Sequence, residues 1–341
     1  MSSSTLKTVG RRLLEAVPTL LGIILVTFLL TRALPGDPAA FYAGPAADEQ
    51  SIAQVRTAMG LDQPLPVQFG HYAAGLMRGD WGVSMNTGQP IIEELQRRLP
   101  ASLELTLYGL ALAVLVAVPL GVLAATRPNS WVDHLCRVLV TAGVSMPVFF
   151  TGLLLVYVFY YQLGWAPAPT GRMSLMAIPP DTVTGMLLID SILTANVEAF
   201  VDSLRHLALP VITLALFALA PIARMTRGSM ISVLESDYIR TARASGLSPR
   251  TILFTYALRH AMLSVLTTLG MVFSFLLGAN VLVEQVFSWP GIGSFAVNAL
   301  VSSDYAAIQG FVLSMALLFV SLNLLIDLLY AVIDPRVGGD Q

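Results

Sequence analysis

The sequence predicts an all-α protein that crosses a membrane six times, because the chain is too apolar and too poor in charge for a soluble domain. Of its 341 residues, 55% are hydrophobic and 12% are charged, whereas a soluble domain carries about a quarter charged residues. Six stretches are apolar over the roughly 20 residues that a helix needs to span a bilayer. They are Leu13–Leu34, Leu103–Ala125, Val138–Leu163, Leu207–Ala223, Leu263–Leu282 and Ala306–Ile333.

Six spans place both termini on the same side of the membrane, and the distribution of basic residues predicts which side that is. If the termini are cytoplasmic, the cytoplasmic segments contain 12 of the 19 basic residues, six of them in the loop between the fourth and fifth spans. These residues are Lys7, Arg11, Arg12, Arg127, Arg137, Arg224, Arg227, Arg240, Arg243, Arg250, Arg259 and Arg336. We therefore expect cytoplasmic termini.

This topology divides the chain into four parts. Residues 1–34 form a cytoplasmic N-terminus and the first span, 35–102 an outer segment, 103–333 a core of five spans, and 334–341 a cytoplasmic tail. The core contains an outer insertion at about 164–206 and a cytoplasmic loop at about 224–262. Within the insertion, the apolar run Met186–Leu193 is too short to span, so we expect a helix that lies on the bundle.

The composition excludes several kinds of activity. The only lysine is Lys7, which follows no glycine-rich loop, so the chain has no P-loop for ATP. The four histidines have no zinc-binding spacing, and no Gly-x-Ser-x-Gly nucleophile motif occurs. No run of five like charges suggests a nucleic-acid partner, and the single cysteine, Cys136, cannot form an intrachain disulfide. We expect a non-catalytic chain that binds no metal or cofactor of its own.

The cytoplasmic segment Ser236–Met262 is predicted to fold as a helix, a tight turn and a second helix. Ile239, Ala242 and Gly246 have the spacing of one helix face. Gly246 is suited to the left-handed conformation that closes a helix. Ser248 is then a good N-cap, and Pro249 fits the first position of the next helix.

Two interpretations of this segment follow from its residues. Small side chains around Ala242, Ala244, Ser245 and Gly246 would let another backbone approach closely, and Arg240 and Arg243 lie three residues apart on one side. Such a helix is suited to docking into a groove on another protein. Alternatively, the segment is a solvated loop whose arginines only reflect the positive-inside rule.

The same segment resembles the EAA motif of binding-protein-dependent ABC importer permeases, the loop that seats in the ATPase subunit. The general pattern is Glu-Ala-Ala, three residues, Gly, nine residues, then Ile-x-Leu-Pro. With Gly246 as the anchor, the matched positions are Arg240, Thr241 and Ala242, followed by Tyr256, Leu258 and Arg259. Only Ala242, Gly246 and Leu258 agree with the general pattern, whereas the whole stretch is similar to the peptide-permease variant of the motif.

Further motifs extend the resemblance over almost the whole chain. The motif LPGDP (Leu34–Pro38) is similar to the signature of permeases of the DppB/OppB type. Four other motifs are similar to dipeptide permeases: GDWGVS (Gly79–Ser84), TGMLLIDS (Thr184–Ser191), RMTRGSM (Arg224–Met230) and FSWPGIG (Phe287–Gly293). The resemblance implies a type I ABC importer permease fold with a cytoplasmic coupling helix in the bacterial inner membrane. It also implies an ATPase-coupling role for Tyr238, Arg240, Thr241, Ala242, Arg243, Gly246, Leu258 and Arg259.

The resemblance also implies the partners of the chain. A second permease of the DppC/OppC type would complete the pathway, and a periplasmic binding protein would deliver a peptide. Two separate ATPase subunits would carry ATP and Mg²⁺, and their closure would switch the pathway between inward-facing and outward-facing states.

Charged and aromatic residues at the span ends are candidates for the transport pathway or for contacts with the binding protein. Glu104 lies at the start of the second span, and Glu284 and Trp289 follow the fifth. Ionisable residues in spans are costly and often functional. The alternative for the carboxylates is a boundary charge or a buried packing pair with an arginine.

Two other classes of function compete with the importer. A secondary transporter driven by protons or sodium would show inverted repeats and charges near the middle of its spans. An intramembrane enzyme would need a nucleophile with a base, or a metal cluster. The sequence shows neither pattern, so the importer permease is the favoured hypothesis.

Overall fold

The computed structural model describes residues 3–33, 37–44 and 46–333. These ranges are mainly helical, with turns and loops between the helices, a longer irregular segment at 163–186 and one isolated β-bridge between Val83 and Pro90. The helices are α1 (Ser3–Ala33), α2 (Pro38–Ala43), α3 (Glu49–Ala58), α4 (Leu65–Met77), α5 (Ile91–Thr126), α6 (Trp131–Ser145), α7 (Val148–Leu155), α8 (Leu187–Leu193), α9 (Val197–Leu234), α10 (Asp237–Ala244), α11 (Pro249–Thr251), α12 (Arg259–Val286), α13 (Ile292–Val301) and α14 (Tyr305–Ile333). Two π-helical segments, Val156–Gln162 and Ile252–Leu258, continue α7 and α11. Residues 34–36 of the LPGDP motif and the tail 334–341 lie outside the described residues.

Four described helical stretches are long and apolar enough to cross a membrane. They are Ile91–Thr126, Val197–Leu234, Pro249–Val286 and Tyr305–Ile326, and they correspond to the second, fourth, fifth and sixth predicted spans. The first and third predicted spans correspond to shorter apolar helical stretches, Val17–Ala33 and Val148–Gln162.

The third predicted span, Val138–Leu163, is not one continuous helix, which corrects the prediction. Helix α6 ends at Ser145, and Met146 adopts an extended conformation with φ −113° and ψ 137°. Pro147 explains this break, because a proline forces the preceding residue out of the helical conformation. Pro147 also lacks the N–H that an uninterrupted helix would need, and α7 begins at the next residue.

The chain forms two compact units. Among the described residues, one contains those up to residue 99 and 291–324, and the other contains 100–290 and 325–333. In the first unit, a small apolar core joins Ile91 and Leu95 to Ile292 and Phe295. Beside that core, the buried Asp304 carboxylate accepts a hydrogen bond from Ser84 Oγ at 2.6 Å. This bond fixes the GDWGVS motif to the turn before α14.

In the second unit, α9 is the central helix, and α6, α7, α8 and α12 pack around it. Small residues allow close approach at these crossings. A Cβ placed on Gly109 of α5 would lie 2.8 Å from Leu214 Cβ, and one on Gly143 of α6 would lie 3.0 Å from the Leu216 carbonyl oxygen. Close helix contact through glycine is typical of membrane bundles.

Candidate functional site

The segment after α9 forms the predicted helix, turn and helix. Helix α10 covers Asp237–Ala244, and Gly246 has a φ of +76°, which a residue with a side chain rarely adopts. Ser248 caps the next helix by accepting a hydrogen bond from the Thr251 N–H at 3.2 Å, with Pro249 at the first helical position. The sequence therefore specifies this turn locally, through residues within ten positions of one another.

Helix α10 is amphipathic, and its apolar side is buried in this chain. Ile239 is fully buried and Ala242 is 9% exposed, and both belong to an apolar cluster. The other members of this cluster, hereafter the anchor cluster, are Val122, Ala125, Met230, Ile252, Ala257 and Ala261. The ends of α5 and α9 and the start of the next helix therefore hold α10 in place.

This burial corrects one part of the sequence interpretation. Ala242 was expected on a small surface that another protein could approach, but it faces the anchor cluster instead. Only Ala244, Ser245 and Gly246 of that set are exposed. A Cβ on Gly246 would have no heavy atom within 4 Å, so the turn is open on its outer side.

The outer face of α10 carries the polar residues of the motif. Tyr238, Arg240, Thr241 and Arg243 are all exposed. Arg240 Nη1 lies 3.4 Å from Asp237 Oδ1, but both side chains are largely in solvent, so this pair adds little stability. The Tyr238 ring lies 5.2 Å from the His260 ring, which connects α10 directly to α12.

The second half of the motif lies on the π-helical segment and the start of α12. Leu258 is partly buried against the anchor cluster, whereas Arg259 is exposed. An open groove of about 650 Å³ runs beside α10, and Arg127, Glu235, Arg243 and Leu247 are among its lining residues. The site therefore combines a firmly held short helix with an exposed polar face and an adjoining groove.

A buried ion cluster supports the base of this site, and sequence reasoning missed it. Asp133 of α6 is fully buried and accepts hydrogen bonds from Arg227 Nε at 2.6 Å and from Arg137 Nη2 at 2.9 Å. Its carboxylate also accepts the Asn129 N–H at 3.0 Å. The hydrogen bond from Arg227 is the main reason that the pKa of Asp133 is lowered to about 2. This cluster joins the start of α6 to the last turns of α9, just before α10.

The three pathway candidates occupy a different place, inside the second unit. Glu104 is 1% exposed, and it accepts hydrogen bonds from Arg172 Nη2 at 2.6 Å and from the Leu188 N–H at 3.0 Å. Glu284 is equally buried and accepts a hydrogen bond from Ser102 Oγ at 2.5 Å. These contacts match the alternative of buried packing groups, and Glu104 has the arginine partner that this alternative requires.

Trp289 completes this buried cluster. Its Nε1 donates a hydrogen bond to the Ala101 carbonyl at 3.0 Å, and the Arg172 guanidinium lies 5.9 Å from its ring centroid. In this structure, none of the three candidates presents a surface to solvent or to another chain. Their contacts hold the 164–206 insertion against α5 at residues 101–104 and against the end of α12.

Comparison with known proteins agrees with the helical architecture. Residues 117–339 match the family described as binding-protein-dependent transport system inner membrane component, and residues 5–106 match its N-terminal region. The chain is 43% identical to the probable D,D-dipeptide transport system permease protein DdpB of Escherichia coli K12, over 93% of each chain. It is 41% identical to the dipeptide transport system permease protein DppB of Alkalihalophilus pseudofirmus, over 96% of this chain and 98% of the relative.

A third relative has a different named substrate. The glutathione transport system permease protein GsiC of Salmonella typhimurium is 41% identical over 96% of this chain and 97% of its own length. The matches cover nearly the full length of each relative, and the family description is that of a transport component and not of an enzyme. The chain therefore belongs to the inner membrane components of binding-protein-dependent transport systems, and it is an ABC importer permease of the DppB type.

Proposed function

We propose that this permease imports short peptides, and that separate ATPase subunits drive it by docking on α10. The observation that carries the proposal is the construction of α10. Its apolar side is anchored by Ile239, while Tyr238, Arg240 and Arg243 face outward. A helix of eight residues is marginal by itself, so this burial is what would allow α10 to transmit a push or pull from a partner to the spans.

The proposal assigns the rest of the assembly by family resemblance. The chain has six membrane-crossing segments in the type I importer arrangement, with both termini in the cytoplasm. A second permease of the DppC/OppC type completes the pathway, and a periplasmic binding protein delivers the substrate. Two ATPase subunits bind the cytoplasmic side and carry ATP and Mg²⁺. The high density of arginine around α10 supports this orientation.

Short peptides are the proposed substrate class because of the names of the relatives. These include a D,D-dipeptide permease, dipeptide permeases and a glutathione permease. Their named substrates share small size and peptide bonds. We therefore propose a substrate of two or three residues.

Gly246 provides a direct test of the coupling site. The φ of +76° and the open space around Gly246 predict two different effects for two substitutions. Gly246→Arg should abolish co-purification of the ATPases and peptide uptake, because it strains the turn and fills its outer side. Gly246→Asn should retain more of both, because asparagine tolerates the left-handed conformation. A stably inserted Gly246→Arg protein with normal uptake would contradict the proposal.

The composition of the complex is tested by purifying the tagged chain from its native membrane in mild detergent. Mass spectrometry should then identify a second permease and P-loop ATPases. Recovery of the chain alone, at the mass of a homo-oligomer, would contradict the proposed assembly.

A further inference from the structure

The exposed faces of the membrane-crossing helices are mostly apolar, and polar groups join them near the ends of the apolar stretches. On α5 the exposed positions in the apolar stretch are all hydrophobic, including Leu107, Leu115 and Leu123. Such a face is suited to lipid, which cannot satisfy polar groups. The surface between α9 and α12 adds polar groups to an apolar lining, because a groove of about 610 Å³ there is lined by Arg224, Ser264 and Met271 among others.

The groove begins at the ends of the apolar stretches and continues into them. Arg224 directly follows the predicted fourth span, and the exposed Ser264 lies in the first turn of the predicted fifth span. Thr268, one turn on, is buried and donates its hydroxyl to the Ser264 carbonyl at 3.1 Å. Met271, one turn deeper on α12, is 60% exposed. Polar side chains at membrane depth face the bundle interior, a partner or a water-filled cavity, and not hydrocarbon.

The charge of the groove is one-sided. Its lining includes two basic residues, Arg224 and His260, and no carboxylate. An exposed arginine beside serine hydroxyls favours binding of an anionic group, and above all a carboxylate. Every peptide with a free C-terminus carries such a group.

The groove is also connected to α10, the proposed docking helix. His260, which lines the groove, contacts the Tyr238 ring of α10. Any displacement of α10 would therefore act on a wall of the groove. If the groove faced only lipid, the contact between His260 and α10 would have no effect on transport.

We propose that the groove between α9 and α12 lines the inward part of the transport route, and that Arg224 attracts the terminal carboxylate of the passing peptide. This inference rests on the proposed function and adds a location to it. Water fills the groove when no peptide is present, and α5 faces lipid.

The chain is suited to a cysteine-accessibility test, because its only cysteine, Cys136, is 1% exposed. Ser264→Cys and Met271→Cys would report on the groove, and Leu115→Cys on the lipid-facing side of α5. Each variant is expressed with the complete transporter, and inverted membrane vesicles are treated with charged methanethiosulfonates. The groove cysteines should react at least about tenfold faster than Leu115→Cys, since the reactive thiolate forms in water and not in lipid.

The charge of the reagent tests the role of Arg224. At Ser264→Cys, the ratio of the labelling rate with the anionic reagent to the rate with the cationic reagent should be high while Arg224 is present. Arg224→Gln should lower that ratio by about two- to fivefold, as expected for one charge across a hydrated groove. Arg224→Lys should restore it.

Two outcomes would overturn the inference. Slow labelling of both groove cysteines, in variants that still import peptide, would mean that lipid or a partner helix covers the groove. In that case the proposed function would stand. A reagent preference that Arg224→Gln leaves unchanged would remove Arg224 from the route. If every variant lost uptake, including Leu115→Cys, the labelling rates would still test the inference, because labelling does not require transport.

Discussion

Replacing Ile239 with alanine should release α10 from the anchor cluster while the membrane-crossing core stays folded. Ile239 is fully buried, and its neighbours come from the ends of α5 and α9 and from the segment that leads into α12. The substitution removes three carbon atoms, and each buried methylene contributes about 0.8 kcal/mol. With the cavity that remains, the expected cost is about 2–4 kcal/mol.

This cost falls on a local equilibrium. Eight residues form a marginal helix without tertiary contacts, so α10 should open independently of the spans. A loss of about 2–4 kcal/mol would raise hydrogen exchange of the α10 amides by about 30- to 1000-fold, since 1.4 kcal/mol is a factor of ten. The amides of α9 in the membrane should exchange as before.

The measurement is hydrogen–deuterium exchange of the purified transporter, followed by mass spectrometry of the peptide covering 237–247. Arg240→Ala is the matched control, because it removes an exposed side chain of the same helix with only a weak ion pair. It should leave the exchange of α10 nearly unchanged. Equal exchange in Ile239→Ala and the unsubstituted protein would refute the assignment of Ile239 as the anchor, and faster exchange throughout α9 would refute the local nature of α10 opening.

Two further predictions concern the helices that support α10. Asp133→Asn should destabilise the protein by about 1.5–3 kcal/mol, because it removes the charged acceptor of the hydrogen bonds from Arg227 and Arg137, whose own side chains stay partly in solvent. Because the native pKa is lowered to about 2, the stabilisation from Asp133 is complete above about pH 4 and is lost as the pH falls toward 2, and thermal unfolding of Asp133→Asn should lack this dependence. Gly121→Ala should also destabilise, by about 1–3 kcal/mol, because its Cβ would lie 2.9 Å from the Ala223 carbonyl oxygen. Gly278→Ala is its control, since no heavy atom lies within 4 Å of that Cβ, and an unfolding midpoint lowered equally in both variants would contradict the argument.

The features that the sequence predicted well are those with local causes. The turn after α10 depends on Gly246, Ser248 and Pro249, whose conformational preferences act within a few residues. The four long spans likewise follow from the apolar content of continuous stretches. The break at Pro147 was also readable in principle, but apolar content outweighed the conformational effect of one proline in the prediction.

The features that sequence reasoning missed depend on distant pairs. Asp133 and Arg227 are 94 positions apart, and in the sequence Arg227 is one of six arginines in a basic loop. Nothing local distinguishes it from its exposed neighbours. Glu104 and Arg172 form another such distant pair, 68 positions apart. Their burial could be suspected from the cost of a charge near a span, but the partner could not be chosen.

The contacts of α10 bear on how the proposed coupling would work. A flexible loop would absorb the movement of an ATPase, whereas α10 is packed on the ends of α5 and α9 and on the segment that enters α12. The ion cluster of Asp133 adds α6 to this group. Force applied at Arg240 or Arg243 would therefore reach four helices together, which favours rigid-body movement. The π-helical segment Ile252–Leu258 is the exception, because π-helical turns are rare and common at functional sites. A change of this segment from π-helix to regular α-helix would rotate α12 relative to α10.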